Sequence, residues 1–139
     1  MHASVSHSGD LVVVATSADG PVGVDVELIG DPPSPGLQSA VCTPVEQMYV
    51  QTPRDFFTYW VRKEAILKAT GEGLHGDMTD VRVAPPAEPP SLLSVAGGWT
   101  PPCSMSAITV DGYAGAVAVL TPRRVTFSFV DASAPRHGG

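Results

Sequence analysis

The first strongly patterned stretch is residues 11–16, Leu-Val-Val-Val-Ala-Thr. A continuous β-branched run of this kind predicts a strand buried on both faces. Ala18-Asp19-Gly20-Pro21 has turn chemistry. Val22–Leu28 then alternates: Val22, Val24, Val26 and Leu28 share one face, Gly23, Asp25 and Glu27 the other. The two segments predict a hairpin. Residues 30–36, rich in Gly and Pro, predict a loop. Thr43-Pro44-Val45-Glu46 is a helix start: Thr43 caps, Pro44 suits the first helical position and Glu46 completes a capping box. A short helix to about residue 50 follows from it. Thr52-Pro53-Arg54-Asp55 repeats the signal and predicts a long helix over Pro53–Thr70, stopped by Gly71. Beyond Gly76 the pattern predicts short strands at 81–83, 92–95, 105–110, 113–120 and 125–130, with Asp111-Gly112 as a hairpin turn. The class is α+β: an antiparallel sheet with one long helix packed on it. Residues 1–131 form one domain, and 132–139 predict a loose tail.

The long helix carries an anomaly. Phe56, Phe57, Trp60, Val61 and Leu67 make one wide apolar stripe, yet Glu64 falls in its middle and Lys68 at its edge. An exposed Glu64–Lys68 pair at i,i+4 would be worth only about 0.2–0.5 kcal/mol. A carboxylate inside the stripe needs a stronger reason, because burying it is costly unless something charged meets it. Asp25 and Glu27 are a second anomaly. Their side chains start about 6.6 Å apart on one strand face and can converge on a cation. An isolated Asp-x-Glu is more often a solvated edge. With Glu64 the acids number three, and three carboxylates with water are a ligand set for Mg²⁺. Ser6-His7-Ser8-Gly9-Asp10 is a small polar loop of a kind that binds phosphate through hydroxyls, backbone N–H groups and imidazolium.

Composition narrows the possibilities. The chain has 139 residues, enough for one ordinary domain. Its formal net charge is −6, from 14 acidic and 8 basic side chains, which argues against a nonspecific nucleic-acid binder. Hydrophobic residues make up 43 %, enough for a core. Cys42 and Cys103 are too few for a disulfide framework and lack zinc-type spacing. No apolar run is long enough to span a membrane. The N-terminus shows no basic stretch before an apolar one, so no signal peptide and a reducing, cytoplasmic setting are expected. Lys63 and Lys68 are the only lysines. Gly71-x-Gly73-x-x-Gly76 spells a dinucleotide fingerprint, but it follows a helix, and helix termination explains it better. There is no Gly-x-Ser-x-Gly nucleophile elbow.

Four blocks occur in order: Val5-Ser6-His7-Ser8-Gly9-Asp10, Gly23-Val24-Asp25-Val26-Glu27, Trp60-x-x-Lys63-Glu64-Ala65-x-x-Lys68, and Gly112-Tyr113-Ala114-Gly115-Ala116-Val117-Ala118. Together they resemble the 4′-phosphopantetheinyl transferases, the surfactin-synthetase-activating type in particular. The holo-acyl-carrier-protein synthase branch lacks the tryptophan matched by Trp60. The resemblance implies a single half-domain of that fold and a transfer: the phosphopantetheine arm of coenzyme A passes to a serine of an apo acyl or peptidyl carrier protein. It implies that Asp25, Glu27 and Glu64 hold Mg²⁺ and that Glu64 also serves as base. It further implies that Lys68 and Lys63 contact the coenzyme phosphates, and that Ser6 and His7 contact its 3′-phosphate. Trp60 packs beneath the site. No nucleic acid and no membrane are involved.

That branch is built from two similar halves, and this chain matches the second. The other half normally supplies basic residues, for which Arg54, Arg62, Arg82, Arg123 and Arg124 are the candidates here. Three expectations follow: a homo-oligomer in which a neighbour completes the cleft, a piece of a longer protein, or a homologue that binds carrier protein or coenzyme A without turnover.

Overall fold

The structure, a computed structural model, describes residues 1–71 and 77–132. Its strands are β1 (His2–Ser8), β2 (Leu11–Ser17), β3 (Val22–Leu28), β4 (Val81–Val83), β5 (Leu92–Val95), β6 (Cys103–Ala107) and β7 (Tyr113–Leu120). Its helices are α1 (Pro35–Val41), α2 (Pro44–Gln47) and α3 (Pro53–Thr70), with a 3-10 turn over Met78–Asp80. Among the described residues all strands pair antiparallel, in three sheets: β1–β2, β3–β7–β6 and β4–β5. The long helix α3 packs across β3 and β7, so the fold is α+β with one long helix on an antiparallel sheet.

Local signals set the helix ends. Thr52 Oγ1 accepts from the Asp55 N–H at 3.2 Å, and Asp55 Oδ2 accepts from the Thr52 N–H at 3.1 Å. Thr43 and Glu46 form the same reciprocal box at the start of α2. This helix is shorter than expected. Past Gln47 the chain continues to Val50 through i→i+3 bonds, as 3-10 turns. Gly71, at φ +62°, ends α3 where expected.

Two cores flank the central sheet. Between it and α3, Phe56, Tyr59, Ala65 and Ile66 meet Ala114, Ala116 and Ala118 of β7. On the other face, Val22, Val24, Val117 and Val119 cluster with Val13, Ile108 and Phe127. Strand alternation therefore turns Gly23, Asp25 and Glu27 toward α3. Gly23 is required there, since a Cβ would lie 1.9 Å from the Ala65 carbonyl oxygen and 2.5 Å from the Ala69 nitrogen. The bare backbone lets helix and strand approach closely.

Several expectations are corrected. β2 is not buried on both faces: Val12 and Val14 are 64 % and 61 % exposed. Nor does it form a hairpin with β3. Its partner is β1, joined by a two-residue turn at Gly9, φ +55°, and Asp10. The polar stretch 6–10 is thus strand and turn. Gly9 supplies the positive φ that closes the turn, and β1 satisfies the β2 backbone. Within 30–36, Ser34 accepts from the Leu37 N–H at 3.2 Å and Pro35 opens α1, the same capping signal in a less conspicuous setting. The strand expected at 105–110 is β6, shifted to Cys103–Ala107, while Val110 still bridges Tyr113 around Gly112 at φ +81°. Residues 125–130 form no strand, because Phe127 docks on the second core by its side chain without a ladder partner. The glycines at 73 and 76, Leu74 and all of the expected tail except Ala132 lie outside the described residues.

Candidate active site

Strand and helix repeats almost match where β3 meets α3. Two strand residues advance about 6.6 Å and four helical residues about 6 Å. Gly23 sits against Ala65 and Ala69. One strand step on, Asp25 meets Lys68: Nζ donates to Asp25 Oδ1 at 3.2 Å and to the Val24 carbonyl at 3.0 Å. One step further, Glu27 lies beside Trp60, which opposes the rise of its pKa. Glu64, half-buried, lies between these levels and feels the charge of both Asp25 and Lys68.

The electrostatics are those of crowded acids. Asp25 is 5 % exposed. Burial raises its pKa above the ordinary value, against the opposing pull of Lys68 and Ser6. Burial also raises Glu27, with the charges of Asp25 and Glu64 adding to it and Trp60 opposing it. Burial and the charge of Asp25 raise Glu64, while Lys68 opposes. The acidic face of β3 is therefore not a solvated edge. Lys68 spends its charge on Asp25 across the helix–sheet interface, and no ion pair joins it to Glu64 among the described residues.

Other expected site residues lie differently. Ser6 is buried beside the acids: Oγ donates to Asp25 Oδ1 at 3.1 Å and accepts from the Val26 N–H at 3.1 Å. His7 is exposed and alternates to the opposite face of β1 from Ser6. Lys63 is not brought to the acids at all. Fully buried, it donates to the Val41 carbonyl at 2.7 Å, Glu46 Oε1 at 2.6 Å and the Met78 carbonyl at 3.0 Å. All three N–H groups are used within the protein. Arg62 is likewise consumed, holding the carbonyls of Ala84, Pro85 and Glu88. Arg54, Arg82, Arg123 and Arg124 are exposed. Trp60 is half-buried against Phe56 and reaches the site through Glu27 as well as packing beneath it. Sequence patterning missed Glu46 as the counter-charge of Lys63, since its capping role already accounted for it.

No three His, Cys, Asp or Glu side chains among the described residues are drawn into a ready-made metal cluster. The donor chemistry nevertheless fits a hard divalent cation. Asp25 Oδ2 is buried without a hydrogen-bond partner, and Glu27 and Glu64 add oxygen donors whose mutual repulsion a cation would offset.

The comparison with known families supplies the class of this α3-backed sheet, with its acids on β3 and a lysine one helical turn from Glu64. The chain belongs to the 4′-phosphopantetheinyl transferase superfamily, whose model matches residues 21–118. That span contains Asp25, Glu27, Glu64 and Lys68, whereas Ser6 and His7 precede it. Among curated proteins, the chain is 30 % identical over 125 residues to 4′-phosphopantetheinyl transferase HetI of Nostoc sp., covering 84 % of this chain and 50 % of the relative. It is 31 % identical over 85 residues to a Synechocystis sp. protein named "Putative 4′-phosphopantetheinyl transferase slr0495", covering 56 % of this chain and 35 % of that one. The chain thus spans half the length of these relatives or less. No helix among the described residues is long and apolar enough to cross a membrane.

Proposed function

We propose that the β3–α3 acid site transfers the 4′-phosphopantetheine group of coenzyme A to a serine of an apo acyl or peptidyl carrier protein, with Mg²⁺ as the resident cation. The observation that carries this is the facing of Asp25, Glu27, Glu64 and Lys68 across one strand and one helix of the family-matched span. The carrier serine oxygen forms a bond to the phosphorus that bears the pantetheine arm. The bond from that phosphorus to the 3′,5′-adenosine bisphosphate breaks, and the bisphosphate leaves with the electron pair. The serine proton passes to Glu64, directly or through water. Phosphoryl transfer asks for positioning and charge neutralisation more than for covalent chemistry.

Asp25, Glu27 and Glu64 would hold Mg²⁺, which neutralises charge on the pyrophosphate when bound. Lys68 brings a compact positive charge, one-third exposed, to the same place. His7 is free to meet an outlying phosphate, and Lys63 receives no coenzyme contact.

The chain spans half of HetI, and a second wall for the site comes from a second copy or from sequence outside this span. The outer face of the β1–β2 ribbon, where Val5 pairs with Val14 and both are more than half exposed, supports association.

Incubation with coenzyme A, Mg²⁺ and an apo carrier protein, followed by weighing of the carrier, tests the proposal. A gain of one phosphopantetheine with Mg²⁺ and none with a chelator is expected. No gain at any protein concentration overturns it, and coenzyme binding by calorimetry without gain identifies a binding module instead.

A further inference from the structure

β1 runs alongside β3 without a backbone ladder. Instead, three serines at alternate positions receive three alternate β3 N–H groups. Val24 N–H donates to Ser4 Oγ at 3.1 Å, Val26 to Ser6 at 3.1 Å and Leu28 to Ser8 at 2.8 Å. The offset is 20 residues each time, so β1 and β3 advance in parallel. Hydroxyls thus satisfy the edge of β3 that β7 does not pair.

Ser6 alone among the three has a second bond, donated to Asp25 Oδ1 at 3.1 Å. A hydroxyl has one proton to give, and Asp25 takes it. The same Oδ1 accepts from Lys68 at 3.2 Å, while Oδ2 is buried with no partner. Both residues are about as buried as the core, at 6 % and 5 % exposure, so their geometry is held by packing as well as by bonding. The carboxylate is therefore bonded through Oδ1, with Oδ2 left buried and unpartnered.

We propose that Ser6 is a positioning residue of the acid site: by holding Asp25 Oδ1 from the β1 side while Lys68 holds it from α3, it aims Oδ2 at the place where a divalent cation binds. This deepens the proposed function and rests on it for the identity of the ligand. It also gives the β1–β2 ribbon a reason to be fixed to β3, since a slip by one residue would replace Ser6 with an outward-facing neighbour and deprive Asp25 of its hydroxyl donor. Partners of metal ligands of this kind commonly change metal affinity by about 10–100-fold when removed.

Two measurements separate the proposal from the reading beneath it. The first needs no cation. In the metal-free protein, the Asp25 carboxyl-carbon resonance is expected to move in Ser6→Ala, to stay in place in Ser4→Ala, and to return in Ser6→Thr. Ser4→Ala loses the equivalent N–H acceptor on the ribbon and controls for simple loosening. An unmoved resonance in Ser6→Ala, an equal movement in Ser4→Ala, or a folded Ser6→Thr that fails to restore the signal would overturn the positioning role. Should Ser6→Ala not fold, Ser6→Cys, with its weaker donor, is read the same way. The second measurement is Mn²⁺ binding by electron paramagnetic resonance. Ser6→Ala is expected to weaken it about tenfold, and Ser4→Ala to leave it unchanged. Wild-type affinity in Ser6→Ala would overturn the aim assigned to Oδ2. A wild-type chain that binds no Mn²⁺, with the resonances behaving as expected, would sink the cation reading and leave the Ser6–Asp25 link standing.

Discussion

The two lysines of this chain sit five residues apart on α3 and do opposite jobs. Lys68 reaches across to the acids of β3, with a third of its side chain open to solvent. Lys63 is sealed against Glu46, at 0 % and 7 % side-chain exposure. Replacing Lys63 with Met would leave Glu46 charged and buried, with its remaining bonds from the Thr43 and Val83 N–H groups unable to balance it. A loss of about 3–5 kcal/mol in urea unfolding is expected, and a loss below about 1 kcal/mol would contradict the pairing. The acids make a second expectation at this scale. Folding raises the pKa of Asp25, Glu27 and Glu64, so the folded chain holds these protons more tightly than the unfolded one. Their contribution to stability is present below the ordinary carboxylate values of 3.8 and 4.5 and is lost as pH rises through the raised ones. Glu64→Gln is expected to flatten that decline in the metal-free protein, measured as urea midpoints across acidic pH; an unchanged slope would count against the shift. Cys42, buried and pushed up to about 12, should ignore thiol reagents at neutral pH until the chain unfolds.

At the scale of elements, close approach is the controlling fact. Gly23→Ala would drive a Cβ into the backbone of α3, where no flexible side chain can yield. It is expected to cost about 1–3 kcal/mol or more in thermal or urea unfolding and to weaken the acid site, because Asp25 and Lys68 are set by the same contact. Thr52→Ala should cost only about 1 kcal/mol. What was legible in the sequence follows the range of each signal. The long helix was readable to the residue, because the Thr52–Asp55 box and Gly71 act locally. The three acids were readable because strand alternation and helical periodicity are also local, and each flagged a carboxylate on an apolar background. The partner of β2 was not, since LVVVAT pairs as well with β1 as it would with β3, and only Gly9 decides. Nor could the stripe show that Lys63, at its rim, faces two carbonyls and Glu46, which come from 22, 15 and 17 residues away. The serine series was written in the sequence as Ser4-x-Ser6-x-Ser8, but its meaning depends on an edge 20 residues on.

For the whole molecule, the family assignment and the half-length match belong together. A chain that spans 50 % of HetI carries the acids, Lys68 and their scaffold in one span. Its net charge of −6 is partly that site, since Asp25, Glu27 and Glu64 are three of its 14 acids. If a second copy supplies the other wall, sedimentation should show self-association over the concentrations at which transfer occurs; transfer by a strict monomer would contradict that assignment while sparing the chemistry. The most direct measurement of the chemistry itself is the rate of phosphopantetheine transfer to an apo carrier protein by wild type and by Glu64→Gln, with coenzyme A binding recorded for both. A fall of at least about 100-fold in transfer is expected, with binding of coenzyme A retained. A Glu64→Gln chain that transfers at the wild-type rate would show that the acid face of β3 and α3 is not the reactive centre.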